Sequence, residues 1–165
     1  MEELHYMHTA MEIARYVIDK CTRDNHPISN MQLQKLLYCI QKSFLQKGRP
    51  AFRDDIEAWL IGPVVREVYH TYCGYGASRI RMRYEVNLES RYREVIDLII
   101  DEKRDLNPWE FAEEIYAPGS AWGATYENGQ GNHRVIPLDL IREKEMEAGV
   151  RHHHCNGKPA MQHSD

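Results

Sequence analysis

No run of apolar residues in this 165-residue sequence approaches the roughly 18 that a membrane-spanning helix needs. The start, "MEELHYMHTAMEIARYVI", is acidic and lacks the basic, apolar and small-residue order of a signal peptide, so a cytoplasmic protein is expected. Charge of one sign is not in excess either. The 21 Lys and Arg against 25 Asp and Glu leave a net charge of −4, which gives no global pull toward nucleic acid or anionic lipid. Cys21, Cys39, Cys73 and Cys155 include no CxxC pair and no tight framework, which argues against a disulfide or redox role. The first three sit in apolar helical patterns and read as small buried hydrophobes. GxSxG, HExxH and the Walker and Rossmann glycine patterns are all missing, so the sequence supports no familiar enzymatic constellation and no cofactor. There is no internal repeat and no mark of a second domain.

What is present is mostly helix. Ala10, Ile13, Ala14, Val17 and Cys21 recur at helical spacing and predict a first helix from about Tyr6 to Cys21. In "ISNMQLQKLL", Ser29 is placed as N-cap, Gln32 completes a capping box and Ile28 can staple against Leu33. The second helix then puts Leu33, Leu36, Leu37, Ile40 and Phe44 on one face and Gln34, Lys35, Gln41 and Lys42 elsewhere. Ile56 to Ile61 predicts a short strand, and Pro63 is placed as first residue of a third helix whose stripe is Val64, Val65, Val68, Tyr69 and Tyr72. "RIRMRYEV" alternates apolar with charged residues and predicts a half-buried strand paired with the Ile56 strand. Tyr92, Val95, Ile96, Ile99 and Ile100 mark a further helix, and Asn107, Pro108 and Glu110 start another. "SAWGATYENGQGNH" reads as one helical turn and a loop, and Pro137 opens a last helix to about Ala148. The fold expected is mainly α, a compact helical domain over 1–150 with a small two- or three-stranded β-sheet (α+β). Residues 151–165 are expected to be a disordered, His-containing tail.

Few residues carry chemistry. "HHHC" in the tail offers metal ligands, but adjacent residues cannot all face one ion and no second cluster completes a shell, so no metal site is expected. His5 and His8 lack a third ligand. His70 and Cys73, one helical turn apart, are better explained by packing than by nucleophilic catalysis, so no catalytic residue is assigned. Lys35, Lys42, Lys47, Arg49 and Arg53 form one basic segment and Arg79, Arg81, Arg83, Arg91 and Arg93 another, before a strongly acidic stretch from Glu94 to Glu114. Solvated, mutually paired faces are the plain account, and a charged protein partner is the functional one. A winged-helix-like DNA-binding regulator using Lys42, Arg79, Arg81 and Arg83 is the alternative, weakened by the acidic total. At "IEAWLIGPVVREVYH", Gly62-Pro63 at a strand-to-helix corner would present first-turn N–H groups beside Arg66, a modest attraction for an anion. A lone Gly-Pro lacks the repeated glycines of a nucleotide cradle. A rigid corner beside Trp59, either a fold element or a docking anchor, is the reading that remains.

"LQKLLYCIQ" followed by "GRPAFRDDIEAWLIGPVVREVYHTYCGYG" resembles the signature of the SocA-like, or Panacea, domain family, also known as phage-associated proteins of the GepA type. Lys35, Leu36, Leu37, Tyr38, Gln41, Gly48, Pro50, Phe52, Asp54, Asp55, Ile56, Ala58, Trp59, Gly62, Pro63, Val64, Val65, Val68 and Tyr69 match its pattern. In "GSAW", Trp122 matches and Ala121 replaces a proline. The resemblance spans roughly Thr9 to Glu147. It implies an antitoxin, often prophage-borne, that neutralises a cognate toxin by direct binding rather than by catalysis. One member acts as an adaptor that delivers its toxin to a ClpXP-type protease. Lys35, Tyr38, Asp54, Asp55, Trp59, Gly62, Pro63, Arg66 and Tyr69 are the candidate partner-contact residues under that reading.

Overall fold

The computed structural model describes residues 7–117 and 119–144. The tail from 151, with its histidines and Cys155, lies outside them, as do His5 and the expected end of the last helix. In chain order the elements are α1 (Ala10–Arg23), β1 (Ile28–Ser29), α2 (Asn30–Gln46), β2 (Glu57–Trp59), β3 (Gly62–Val64), α3 (Arg66–Tyr72), β4 (Arg79–Ile80), α4 (Ser90–Lys103), α5 (Pro108–Ile115), α6 (Ala121–Tyr126) and β5 (Arg134–Val135). A seventh helix, α7, begins after Pro137 and is described over 138–144. The fold is mainly α with two small antiparallel sheets, one ordered β1-β4 and the other β3-β2-β5. No helix among the described residues is long and apolar enough to cross a membrane.

α2 is the centre of the core. Its capping box forms as the sequence predicts, with Ser29 accepting from the Gln32 N–H and Gln32 accepting from the Ser29 N–H. The predicted apolar face, Leu33, Leu36, Leu37, Ile40 and Phe44, is buried, and so are residues all round the helix, including Gln34, Tyr38, Gln41 and Lys42. Burial of those polar residues was not visible in the pattern, and it requires that each find a partner. The Gln41 amide accepts from the Ala51 N–H at 2.7 Å and donates to the Phe52 carbonyl at 2.9 Å, tying the 51–52 loop to the helix. Gln34 accepts from the Val65 N–H at 3.0 Å and donates to Asn30, whose amide in turn donates to the Tyr69 carbonyl. The polar residues of α2 are therefore internal fixings that hold the 51–52 loop and the start of α3.

Three expectations need correction. α1 starts later than Tyr6, at Ala10, because Thr9 caps it and Asp54 accepts the Ala10 N–H at 2.7 Å. Pro63 does not begin a helix. Gly62–Val64 pairs with Glu57–Trp59 in a hairpin closed by the two residues Leu60 and Ile61, and α3 starts at Arg66 with Val65 as N-cap. Pro63 is tolerated there because β3 is an edge strand, where a missing N–H breaks no central ladder. Finally, the strand expected over 79–86 is reduced to Arg79–Ile80, and it pairs with Ile28–Ser29 rather than with the Ile56 strand. Beyond Ile80 the chain leaves β1 for α1, where the Met82 N–H donates to the Thr22 hydroxyl at 3.2 Å instead of extending the ladder. The strand that joins β2 instead is β5, through Glu57 opposite Val135 and Ala58 opposite Arg134. The chain reaches β5 through Gly131, where a Cβ would lie 1.8 Å from the Thr125 carbonyl oxygen, so only glycine fits.

Candidate functional site

The Gly62-Pro63 hairpin is held at its main-chain carbonyls by two aromatic donors. The Trp122 indole N–H donates to the Trp59 carbonyl at 2.7 Å, and the Tyr116 hydroxyl donates to the Ile61 carbonyl at 2.6 Å. Tyr116 and Trp122 meet edge to face with centroids 4.7 Å apart, and Tyr126 stacks on Trp122 at 4.7 Å. Gly62 has φ +116°, and a Cβ on it would lie 2.7 Å from the Tyr116 hydroxyl. Glycine is thus required twice at this position, for the backbone angle and for the close approach. Burial pushes the Tyr116 hydroxyl above its usual pKa, so it stays a donor at neutral pH.

The front of the hairpin carries a ring cluster. Trp59, half-buried, stacks on His133 at 4.5 Å, meets Tyr69 edge to face at 5.0 Å and lies 6.0 Å from His70. The His133 backbone N–H donates to the Ala58 carbonyl at 2.7 Å, which ties the main chain at that residue to the sheet. Glu57 accepts from the Trp59 indole at 3.1 Å and takes both arms of Arg66, at 3.0 and 2.8 Å. Burial opposes the Glu57 charge, but those bonds outweigh it and hold the carboxyl below its ordinary range. At the hairpin tip Leu60 is 73% exposed beside this cluster.

The candidate residues divide on this geometry. Tyr38, Gly62 and Pro63 are buried, and Asp54 is spent on the start of α1. Asp55 and Arg66 are exposed, while Trp59, Tyr69 and Lys35 are half-buried. Lys35 sits over the Tyr116 ring at 5.6 Å, and burial lowers its pKa. The anion reading of the corner loses its basis, because there is no helix at Pro63 and the Val65 N–H belongs to Gln34. Of the nucleic-acid set, Lys42 is buried with its ammonium 5.3 Å from the Tyr38 ring centre, and Arg83 bonds to Asp19 at 2.8 Å. Arg79, Arg81 and Arg83 are all exposed, and Arg79 and Arg81 make no ion pair among the described residues. α2, buried on most sides, has no free face to lay in a DNA groove. Cys21 and Cys39 are buried as expected. Cys73 is not: it is exposed, and its thiol donates to the His70 carbonyl rather than facing the imidazole. No group of three metal-ligating side chains occurs among the described residues.

A concavity of about 510 Å³ runs between α1 and α4, lined among others by Tyr16, Asp19, Arg23, Tyr84, Arg93 and Asp97. Its polar groups largely satisfy one another. Tyr16 donates to Asp97 at 2.6 Å, and Asp19 accepts from Arg23, from Arg83 and from the Tyr84 N–H. Sequence reasoning missed Leu60, Tyr116 and His133. Leu60 sat inside an expected strand, and Tyr116 and His133 reach the hairpin from far along the chain.

Fold and site together define a mainly α domain whose signature residues converge on a pinned hairpin. The family described as "Antitoxin SocA-like, Panacea domain" matches residues 33–123, and the chain belongs to it. The matched stretch is narrower than Thr9 to Glu147, leaving α1, β1, β5 and α7 outside it. Over 72 residues the chain is 42% identical to "Antitoxin SocA" of Caulobacter vibrioides (strain NA1000 / CB15N), a match covering 43% of this chain and 38% of that protein. No solved structure matches.

Proposed function

We propose that this chain, as one domain over 1–150, is a cytoplasmic antitoxin that neutralises a cognate toxin by direct, non-catalytic binding, and that the front of the hairpin is the contact face. The observation that carries the reading is Leu60, 73% exposed on a loop that Trp122 and Tyr116 hold at its carbonyls. An apolar knob that is already rigid loses little entropy on docking, and the adjoining Trp59, packed with Tyr69 and His133, adds the aromatic area typical of binding hot spots. Asp55 and Arg66 lie at the surface as a polar rim, with Lys35 half-buried. Family membership supplies the partner class. Delivery of the bound toxin to a ClpXP-type protease is a further step, which needs a protease contact elsewhere on the chain while this face holds the toxin.

Co-expression with the product of the adjacent gene tests this. Growth should be restored, and the two proteins should elute together. Restored growth without a complex, or a complex that leaves the toxin active, would overturn the reading. Loss of the toxin only in cells that have ClpXP would add the adaptor role.

A further inference from the structure

Residues 81–87 are extended with no turn or bend, and their side chains alternate, with Tyr84, Val86 and buried Leu88 on one side and exposed Arg81, Arg83 and Glu85 on the other. The Met82 sulfur lies 3.3 Å from the Tyr84 hydroxyl, as next-but-one residues of a strand should. The segment is fastened along one edge only. The Met82 N–H donates to the Thr22 hydroxyl at 3.2 Å, and the Tyr84 N–H donates to Asp19 at 2.9 Å. In an extended chain the peptide groups of alternate residues point to opposite edges, so those of Arg81, Arg83 and Glu85 point away from α1. Among the described residues none of these three has a backbone hydrogen bond. β4, which leads into the segment, is itself half of a two-stranded sheet and has an open side.

The charges on this edge say what it would accept. Arg79, Arg81 and Arg83 stand at every second position, the spacing at which an added strand presents its own side chains. Arg79 and Arg81 make no ion pair among the described residues, whereas Arg83 is anchored by Asp19. We infer that residues 81–87 form an open strand edge that takes an extended, acidic segment of a protein partner by strand addition. Main-chain bonds to Arg81, Arg83 and Glu85 supply the binding, and carboxylates opposite the arginines supply the selectivity. Nucleic acid is the poorer occupant, because Asp19 already holds Arg83, and Glu85 and Glu89 lie in the same run. The edge stands apart from the hairpin face and does not depend on it.

The test uses the full chain and capped octapeptides alternating Glu with Val or Lys with Val, so it requires no toxin. The Glu peptide should bind about tenfold or more tighter than the Lys peptide, since opposite charges across a ladder stabilise and like charges repel. Amide NMR signals of Arg81, Arg83 and Glu85 should move together. Methylating the central amides of the Glu peptide should weaken it by about tenfold or more, because strand addition needs those donors. Absence of binding, equal affinity for the two peptides, or indifference to methylation would overturn the proposal. So would duplex DNA, rather than the acidic peptide, shifting Arg79 and Arg81 with a steep salt dependence.

Discussion

The hairpin over Glu57–Val64 and the extended segment 81–87 are both short stretches of strand-like backbone laid on helices, yet they are fastened in opposite ways. β2 is paired on both sides, by β3 and β5, and the carbonyls at the turn are closed by Trp122 and Tyr116. The segment 81–87 is tied along its inner edge alone, by Thr22 and Asp19. The difference separates two uses of extended chain. In β2 the main chain is paired along both edges, so at the turn beside it side chains such as Leu60 are what a partner meets. Along 81–87 the main chain itself is available.

Gly62→Ala gives the largest expected effect. Strain at positive φ and the approach to the Tyr116 hydroxyl should together cost about 2–4 kcal/mol in a urea melt. The loss should shrink by about 1 kcal/mol when measured in a Tyr116→Phe background, where the crowding oxygen is gone. A neutral Gly62→Ala would mean the hairpin is not pinned as described.

Asp19→Asn attacks the inner edge of the other region and should cost about 2 kcal/mol at neutral pH, since three donors converge on one carboxylate. Burial opposes that charge, but Arg83, the Tyr84 N–H and Arg23 outweigh it and hold the carboxyl below its ordinary pKa. A group with a depressed folded pKa binds protons more readily when unfolded. Its contribution is therefore present above the ordinary carboxylate range and is lost as pH falls through the folded value. Melts taken from about pH 6 down to about pH 3 should fall less steeply for Asp19→Asn than for the parent chain. Parallel curves would show that Asp19 is not coupled as drawn.

Trp122→Phe keeps a ring and removes one donor. It should cost about 1 kcal/mol, the worth of one hydrogen bond, because the Trp59 carbonyl keeps the Gly62 N–H across the hairpin. Arg81→Glu comes last. On an exposed side chain it should change stability by less than about 0.5 kcal/mol. It should nevertheless narrow the preference of the 81–87 edge for the Glu peptide over the Lys peptide.

The two regions also differ in how far they could be read from sequence. Two helix starts were plain because their caps are local: Ser29 with Gln32 and Asn107 with Glu110 form their boxes as read. The hairpin was misread because Pro63 suits both a first helical position and an edge strand, and only pairing decides between them. What decides it is the packing of Tyr116 and Trp122 against the turn and of β5 beside it, all distant in the chain. The alternation over 80–86 was read as a strand, of which only Arg79–Ile80 forms, and its partner was misplaced, since β1 and the end of α1 that hold it lie fifty or more residues earlier. At the candidate site, Trp59, Tyr69 and Arg66 were named from sequence, whereas Leu60 looked like an interior strand residue. Gln34 and Gln41 show the converse: polar side chains off the apolar stripe that became buried once loops closed over α2.

The most direct test of the account is the affinity of the adjacent gene's toxin for Leu60→Asp, measured beside the parent chain and with melting curves for both. Leu60 is at the surface, so the melts should coincide. A charge set at the centre of an apolar contact should weaken the complex by about thirtyfold or more, the effect of losing a hot spot. Undiminished toxin binding by the folded Leu60→Asp chain would contradict the hairpin face as the site of neutralisation.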